Sequence, residues 1–476
     1  MYTSILKIQN ALIKKTLSLP ELVKGYLGKI ESHNGDLNIL IEVQADEAIS
    51  RAEEIQLKIN QGKAGALAGC ILSLKDVYAQ KNHPLTCGSS ILKGLTSVYD
   101  AEIVDRLTSQ DAIIIGRANM DEFAMGSSNE HSVYGPTRNP LNPDYVPGGS
   151  SGASAASIAA QFCNASIGSD TGGSVRQPAS YTETVGLKPT YGRISRHGLV
   201  AYASSFDSVG PMGSSVSDVA QLLQVLAGED EKDNSSSSNP PGDYVTAVTQ
   251  EHRSFTIGIP SEYFSDGLDP EIHRKVDEII QIAEKEGHLL KKVSLPYTQY
   301  GLATYYILAT AEASSNLARY DGIRFGNRKM PTDSTSLRDL YIETRTQGFG
   351  DEVKRRILLG TYVLSKGYYD SYYGKAQKVR RLIREDFLRA FESVDILLSP
   401  ATPTTAFKLG EKADPLSMYL NDVYTLPANL AGICAISIPA GKHSNGMPFG
   451  IQFQAGSFQE EKLLHCAAQF ERYLNH

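Results

Sequence analysis

Two segments rich in glycine and serine hold the residues best suited to nucleophilic chemistry. The first is PGGSSGASAASIAA at residues 147–160, and the second is GSDTGGSVRQPAS at residues 168–180. Ser174 follows two glycines, which permit backbone conformations that leave N–H groups free, as an oxyanion hole requires. Either segment alone is typical of a flexible turn, but two of them joined by a helix of small residues favour a catalytic site. A serine hydroxyl still needs a base.

A histidine is one candidate for that base. The motif GGSSG at residues 148–152 matches the G-x-S-x-G turn of α/β-hydrolases, with Ser150 at its centre. That turn requires a strand leading into the serine, whereas the preceding NPLNPDYVP contains three prolines and does not fit a central strand. A Ser-His-Asp triad would need His131 or His197, and each is interpreted more simply as a polar loop residue.

A lysine is the other candidate. Lys75 ends the apolar run GCILSLKD at residues 69–76, which predicts a buried strand with the lysine at its end. A lysine in water has a pKa of about 10.4 and is charged. Desolvation favours the neutral form, which is a base. The alternative is a surface ion pair between Lys75 and the adjacent Asp76.

The composition argues against several other classes of protein. Of the 476 residues, 41% are hydrophobic and 21% are charged, which is typical of a globular protein with a large core. The net charge of −7 does not favour binding of nucleic acid by this chain on its own. The sequence has no His-x-His or H-E-x-x-H motif, and no Gly-Lys pair precedes Ser or Thr, so it predicts neither a zinc site nor a P-loop.

The cysteines and the N-terminus indicate a compartment. The five cysteines are scattered and form no Cys-x-x-Cys motif, which favours free thiols in a reducing environment. The first residues, MYTSILKIQNALIKK, lack a signal-peptide pattern, and no apolar run reaches the roughly 18 residues of a membrane span. We therefore expect a cytoplasmic protein.

The elements that must position these residues alternate between strands and helices. Ser18 and Pro20 predict the start of a helix that Asn34 and Gly35 end. Further helices are predicted near residues 101–107, 152–162, 270–288 and 460–473, and strands near residues 71–75, 112–116, 255–260, 289–296, 395–400 and 449–456. This alternation predicts an α/β fold with a mixed sheet flanked by helices.

We expect one large domain over residues 1–476. Its predicted parts are an N-terminal helical part at 1–60, a catalytic core at 65–227, an exposed loop at 228–243 and a second half at 244–476. The second half includes a helical cap at 298–390. The loop at 228–243 is acidic and serine-rich and breaks every periodicity, so it is not expected to be catalytic.

The span from Lys75 through both Gly/Ser segments to GLKPTYGRISR resembles the amidase signature family. The resemblance implies an α/β/α fold with a central mixed sheet and a Ser–cis-Ser–Lys triad. Residue by residue, it implies Ser174 as the nucleophile, Ser150 as the bridging serine after a cis Gly149–Ser150 peptide, and Lys75 as the base. The implied oxyanion hole consists of backbone N–H groups of Thr171, Gly172, Gly173 and Ser174.

Four further segments resemble one branch of that family, the glutaminase subunits of tRNA-dependent amidotransferases. They lie at residues 119–140, 312–326, 350–365 and 419–439. The resemblance implies glutamine as substrate, with Arg355 binding the α-carboxylate, Asp422 the α-ammonium and Tyr306 adding a polar contact. From the residues alone, Arg355 is more simply an exposed helix residue and Asp422 a cap, and Arg356 is the alternative carboxylate anchor one position along.

The resemblance also implies partners. A B subunit would activate Glu-tRNA(Gln) with ATP and Mg²⁺ and bind most of the tRNA, and a small C subunit would complete a heterotrimer. No cofactor is expected in this chain. The alternatives are a stand-alone amidase of the same family acting on another small amide, and a catalytically silent scaffold. The chain departs from the family pattern at Cys434 and at Thr182–Thr184, which puts local packing in question.

Overall fold

A single mixed sheet runs through the computed structural model, which describes residues 4–264, 267–331, 336–412 and 414–474. Within these residues the strands are β1 (Leu40–Val43), β2 (Ile71–Lys75), β3 (Ile113–Ala118), β4 (Ala165–Asp170), β5 (Val185–Lys188), β6 (Ser208–Gly213), β7 (Thr256–Pro260), β8 (Leu289–Val293), β9 (Ile396–Pro400), β10 (Cys434–Lys442) and β11 (Pro448–Ala455). Their spatial order is β1-β3-β2-β4-β6-β5-β10-β11-β9-β7-β8. The predicted α/β class with a mixed sheet is confirmed.

Parallel and antiparallel pairs occupy different parts of the sheet. β2 pairs in parallel with β3 and β4, and β7 pairs in parallel with β8 and β9. The central strands β4, β6, β5, β10, β11 and β9 are joined by antiparallel pairs. In the parallel parts, strands alternate with helices along the chain, because two parallel neighbours need a long crossover connection that is usually a helix.

Helices cover both faces of the sheet. They are α1 (Ile5–Ile13), α2 (Leu19–Leu37), α3 (Ala45–Asn60), α4 (Glu102–Ser109), α5 (Gly152–Ala159), α6 (Arg176–Tyr181), α7 (Val216–Leu226), α8 (Tyr244–Thr249), α9 (Pro270–Lys285), α10 (Gly301–Asn316), α11 (Leu337–Gly348), α12 (Asp351–Val363), α13 (Lys375–Phe391), α14 (Pro415–Tyr419), α15 (Leu426–Ala431) and α16 (Glu460–Leu474). Because side chains alternate along a strand, Leu72 and Leu74 pack into one core while Ile71 packs into the other.

The alternation of side chains along β2 also decides which face of the sheet Lys75 occupies. Ser73 and Lys75 lie on the same face of β2 as Ile71, and helix α5 packs against β2 and β4. α5 has small residues, and Ser157 from it lies 2.8 Å from Ser73, Oγ to Oγ. The close approach of α5 brings the residues before its first turn, Ser150 and Ser151, over the end of β2.

Most predicted elements are confirmed, but the end of the first predicted helix was wrong. α2 continues through Asn34 and Gly35 to Leu37, and Asn38 caps it in a left-handed conformation with φ 50°. Asn34 stays helical because its side chain bonds the chain beyond the helix: Oδ1 accepts from the N–H of Ile39 and Leu40. Residues 298–390, which are predicted to form a helical cap, contain α10–α13, and residues 332–335 lie outside the described residues.

The loop at residues 228–243 is fastened to the core at several points. Asp230 is buried and accepts a hydrogen bond from Ser195 at 2.5 Å. Asp233 accepts from the N–H of Arg196, and Arg193 donates to the carbonyl of Asn239. The tip of the loop is exposed, while Asp230 and Asp233 bond the segment that follows β5. In the part of the chain described, no helix combines the length and apolarity needed to cross a membrane.

Candidate active site

Lys75 lies at the carboxyl end of β2 and is fully buried. Its Nζ is 2.8 Å from Ser150 Oγ, 2.8 Å from Ser151 Oγ and 3.0 Å from Ser169 Oγ. The alternative ion pair with Asp76 is not formed, because Arg117 takes that carboxylate at 3.0 Å in a second buried pair. The lysine is therefore surrounded by hydroxyl groups, which can accept or donate a proton.

Burial lowers the pKa of Lys75 to about 7, because the charged ammonium is desolvated. The fields of Asp121, Asp170 and Asp207 act in the opposite direction and raise it. The neutral form is thus accessible near neutral pH, where an ordinary lysine is almost wholly charged. A neutral amine in contact with a serine hydroxyl is the arrangement that a lysine base requires.

Ser150 follows a cis Gly149–Ser150 peptide bond, as the family resemblance implies. The Gly149 N–H donates to Gln177 Oε1 at 3.0 Å. A Cβ at Gly149 would lie 2.1 Å from Asp121 Oδ2, so only glycine fits there. In the described chain no strand leads into Ser150, which agrees with the interpretation that GGSSG is not a hydrolase elbow.

Ser174 lies in the turn between β4 and α6, and 9% of it is exposed. Its carbonyl accepts from the Ser151 N–H at 3.1 Å, so the backbones of the two Gly/Ser segments are adjacent. Among the described residues no hydrogen bond joins the Oγ atoms of Ser150 and Ser174. Relay of a proton between them needs the Ser174 hydroxyl to approach Ser150, and catalytic hydrogen bonds often tighten only when substrate binds.

We call residues 171–174 the oxyanion loop. Within the described chain, no hydrogen bond takes up the N–H groups of Thr171, Gly172 and Ser174. The Gly173 N–H instead donates to Asp170 Oδ1 at 2.9 Å. Gly173 is predicted to supply a donor to the oxyanion hole, and in this structure its N–H is occupied by Asp170, unlike those of Thr171, Gly172 and Ser174 within the described residues.

Asp170 fixes the oxyanion loop through a buried ion pair with Arg176, Nε to Oδ2 3.0 Å. Burial alone would raise the pKa of Asp170, but the Arg176 guanidinium lowers it to about 2. The Arg176 guanidinium also donates to Gln452 and Asn429. The Arg176 guanidinium therefore favours the ionised form of the carboxylate that accepts from the Gly173 N–H.

The histidine alternative has no support in this geometry. His131 is exposed on the rim of a cavity, and His197 packs against the Tyr99 ring at 5.5 Å. In the described part of the chain, neither imidazole makes a hydrogen bond to Ser150 or Ser174.

Asp422 is buried, and its Oδ2 accepts a hydrogen bond from the hydroxyl of Ser127. The two residues are 295 positions apart in the sequence. Asp422 Oδ1 is buried and has no hydrogen-bond partner among the described residues. Burial raises the pKa of Asp422 to about 7, against the lowering by Ser127 and by the field of Arg356. An unpaired carboxylate oxygen in a buried site is suited to an incoming cation.

Two adjacent arginines occupy different environments on α12. The Arg356 guanidinium is buried, 5.1 Å from the centre of the Tyr306 ring, and donates to Glu352 at 2.8 Å. Arg355 also pairs with Glu352, but its side chain is 51% exposed. Tyr306 stacks on Tyr419 with ring centres 3.9 Å apart. Of the two arginines, Arg356 is the one in contact with Tyr306, and its field reaches Asp422.

A cavity of about 590 Å³ opens beside this cluster. Glu122, Gly126, Glu352, both arginines and Tyr419 are among the residues that line it. Ser174 and Asp422 do not line it themselves. Gly126, which precedes Ser127, and Arg356 are both lining residues, so the cavity adjoins the residues around Asp422.

The departures from the family pattern lie outside the catalytic contacts. Cys434 is the first residue of β10, buried, with its thiol directed at the carbonyl of Ala455 at 3.5 Å. Thr182 donates to the Pro178 carbonyl at 2.8 Å, and its Oγ1 is 3.1 Å from that of Thr184. These residues are accommodated by local hydrogen bonds and do not touch the triad.

Sequence reasoning missed several residues that the fold brings to the site. Ser127, Ser151, Ser169 and Thr425 each bond a group of the site directly. Ser127 and Thr425 fall inside segments that resemble the glutaminase branch, but nothing in their local pattern marks them.

All five cysteines are buried and free.

Comparisons with known proteins agree with one another. A family model described as Amidase matches residues 21–464. The A subunit of the glutamyl-tRNA(Gln) amidotransferase of Trichlorobacter lovleyi is 51% identical over 470 residues, which cover 98% of this chain and 96% of that protein. The crystal structure of the corresponding protein from Thermotoga maritima, which carries the same name, is 38% identical with a TM-score of 0.78, and covers 94% of this chain and 89% of that one.

The fold itself is shared more widely. A structure reported for a vestigial complex related to an s-triazine catabolic enzyme is 28% identical with a TM-score of 0.87, and covers 99% of this chain and 98% of that one. A higher structural score thus accompanies a lower sequence identity. Fold similarity therefore does not select the substrate.

Proposed function

This chain belongs to the amidase family, and we propose that it hydrolyses glutamine as the A subunit of a glutamyl-tRNA(Gln) amidotransferase. The ammonia released would convert Glu-tRNA(Gln) to Gln-tRNA(Gln). Relatives of that name are about half identical over nearly the whole chain, which supports this reading over a stand-alone amidase. The observation that carries the proposal is the buried contact of Lys75 with Ser150, in a chain whose Arg356 and Asp422 are also buried.

In the proposed mechanism Ser174 Oγ attacks the side-chain amide carbon of glutamine. Its proton passes to Ser150, whose own proton passes to the neutral amine of Lys75. The N–H groups of Thr171, Gly172 and Ser174 stabilise the negative oxygen of the tetrahedral intermediate. The protonated Lys75 returns a proton through Ser150 to the leaving nitrogen, and ammonia departs. Water then attacks the acyl-enzyme by the same proton route and releases glutamate.

Glutamine carries two charges that the site is suited to bind. We assign its α-ammonium to Asp422, whose Oδ1 is unpaired among the described residues. We assign its α-carboxylate to Arg356, because this guanidinium is the one beside Tyr306 and the one whose field acts on Asp422. Arg355, the prediction from sequence, is the alternative at the exposed rim.

The same proposal includes partners. A chain with a net charge of −7 has little electrostatic attraction for tRNA, so a B subunit would hold the tRNA and activate its glutamyl group with ATP and Mg²⁺. A small C subunit would complete the assembly. The names of the relatives, each a lettered subunit of an amidotransferase, support membership of a complex. The proposed setting is the cytoplasm, where aminoacyl-tRNA is used.

Ser174→Ala in the assembled complex is the first test. Glutamine hydrolysis should fall to background, because no acyl-enzyme can form. Ammonium chloride should still support amidation of Glu-tRNA(Gln), because the acceptor site lies in the partner. Release of glutamate and formation of Gln-tRNA(Gln) are measured in parallel. A complex that ignores glutamine while the isolated chain turns over simple aliphatic amides would show instead the stand-alone amidase.

A further inference from the structure

We propose that Thr425 is a positioning residue that holds the oxyanion loop and joins it to the Asp422 backbone. The inference rests on the proposed function in so far as Ser174 is the nucleophile and Asp422 binds substrate. Thr425 lies just before α15, on a segment far in sequence from the triad, and is fully buried. No local pattern in the sequence marks it.

The Thr425 side chain bonds the oxyanion loop directly. Its Oγ1 donates to the Gly172 carbonyl at 2.8 Å and lies 3.0 Å from the Asp422 carbonyl. The Thr425 N–H donates to that same Asp422 carbonyl at 3.0 Å. The peptide carrying the Gly172 carbonyl also carries the Gly173 N–H, so this bond sets the orientation of the loop's central peptide.

The fit between Thr425 and the loop is close. A Cβ at Gly173 would lie 2.0 Å from Thr425 Oγ1, and Gly173 has φ +132°, where a side chain is strained. Gly173 therefore allows Thr425 to contact the backbone itself. Tyr305 closes the other side, since a Cβ at Gly172 would lie 2.8 Å from its hydroxyl oxygen.

The backbone of Thr425 is bonded by the Arg176 side chain, which also pairs with the Asp170 carboxylate of the oxyanion loop's ion pair. Its carbonyl accepts from Arg176 at 3.0 Å, and Arg176 is the ion-pair partner of Asp170. Asn429, one turn further, accepts from Arg176 at 2.6 Å and donates to Asp170 at 2.9 Å. The central peptide of the loop is thus held on both sides, by Asp170 at the Gly173 N–H and by Thr425 at the Gly172 carbonyl.

Loss of the Thr425 hydroxyl should therefore affect the reaction more than the binding of substrate. Without it, the Gly172 carbonyl is a buried acceptor with one partner fewer, and its peptide keeps the bond from the Gly173 N–H to Asp170 but loses the second contact that orients it. The N–H groups would then no longer point where negative charge develops. Asp422 keeps its side-chain contact with Ser127, so ground-state binding of glutamine should change little.

Thr425→Val, which replaces the hydroxyl by a methyl of similar size, and Thr425→Ser, which keeps the hydroxyl, test the proposal in the complete complex. We expect Thr425→Val to lower kcat for glutamine by roughly 10- to 100-fold, as small misplacements of catalytic groups do, with KM nearly unchanged. Thr425→Ser should recover most of kcat. Thr298→Val is the matched control: Thr298 is also buried with its hydroxyl on a carbonyl, that of Leu295, and kcat should stay normal.

A second readout does not depend on glutamine. The rate at which a fluorophosphonate probe labels Ser174 depends on the oxyanion loop and on the proton relay but not on the binding of glutamine. Within the described residues Thr425 makes no hydrogen bond to the relay, so Thr425→Val should slow labelling through the loop while Thr425→Ser should not. If Thr425→Val does not fold, Thr425→Ala takes its place in the same comparison with Thr425→Ser.

The outcomes separate the two proposals. Normal kcat and labelling in Thr425→Val, or equal losses in Thr425→Val and Thr425→Ser, would overturn the positioning role. An increase in KM alone would also overturn it, because it would make Thr425 a binding residue. If the wild-type complex fails to hydrolyse glutamine while Thr425→Val still slows labelling, the proposed function fails and the positioning role stands.

Discussion

At the scale of single residues, the chemistry depends on groups whose protonation the fold has changed. Lys75 is fully buried among three serine hydroxyls, and burial lowers its pKa to about 7. Asp422 is buried as well, and burial raises its pKa to about 7. One group must lose a proton to act as a base, and the other must lose a proton to bind an ammonium.

Both ionisations therefore act in the same direction on glutamine hydrolysis. In the proposed mechanism Lys75 acts as a base and Asp422 binds the ammonium only when each is deprotonated, so kcat/KM should rise with pH and level off above about pH 7–8. Below pH 7 the slope of log kcat/KM against pH should approach about 2, since two protons must leave the free enzyme. The measurement is initial glutaminase rate at low glutamine between about pH 5.5 and 9.

Asp422→Asn is the control for that profile. It removes one ionisation, so the slope below pH 7 should fall to about 1 while KM rises. A profile that is flat from about pH 6 to 8 would contradict the assignment of Lys75 as the base.

The two arginines of α12 give the second residue-scale prediction. Arg356→Ala should raise KM for glutamine by about 10- to 100-fold, because the lost contact to a carboxylate is worth about 1.5–3 kcal/mol. Arg355→Ala should change KM by less than about threefold, since an exposed charge contributes little. Ammonia-dependent amidation should be unaffected in both.

Arg356 also neutralises the buried Glu352, so its loss affects stability as well. Arg356→Lys separates the two effects, because it keeps the charge and loses the planar fork. The melting temperature of each variant is measured alongside KM. If Arg355→Ala raises KM and Arg356→Ala does not, the sequence-based assignment is the correct one.

At the scale of elements, the packing of α10 against α12 sets the position of Arg356 relative to Tyr306. α10 carries Tyr306 and α12 carries Arg356, and the helices pack closely along their length. Gly360 makes this possible, because a Cβ there would lie 1.9 Å from the carbonyl oxygen of Thr310 on α10. The distance between Tyr306 and Arg356 thus depends on a glycine one turn away from the arginine.

Gly360→Ala should force the two helices apart. We expect a loss of about 1–3 kcal/mol in the free energy of unfolding, as overpacking typically costs, together with a higher KM for glutamine. Urea unfolding and glutaminase kinetics measure the two effects. Gly28→Ala in α2 is the matched control, since nothing lies within 4 Å of its Cβ position. That variant should be stabilised by up to about 1 kcal/mol. Equal stability of the two variants would contradict the packing argument.

At the scale of the whole molecule, both halves of the chain meet at one site. Lys75, Ser150 and Ser174 come from the first half, whereas Arg356, Asp422 and Thr425 come from the second. The single sheet makes this possible, because β5 from the first half pairs with β10 from the second. Neither half carries the complete set of groups that the proposed reaction needs.

Local signals in the sequence were enough to predict the α/β class, the strand that ends at Lys75 and the segments that hold Ser150 and Ser174. These signals are apolar periodicity, proline and glycine punctuation, and a long family signature confined to neighbouring residues. Because they are local, the elements they predict are confirmed, apart from boundaries such as the end of α2, where Asn34 bonds residues beyond the helix.

Which polar residues are buried, and what they face, depends instead on the tertiary structure. There Asp76 pairs with Arg117 rather than Lys75, the Gly173 N–H is occupied by Asp170, and Arg356 rather than Arg355 contacts Tyr306. Thr425 enters the site only because a segment 253 positions beyond Gly172 packs against it. Burial and electrostatic fields are sums over neighbours that are distant in sequence, so no local pattern of residues could have predicted them.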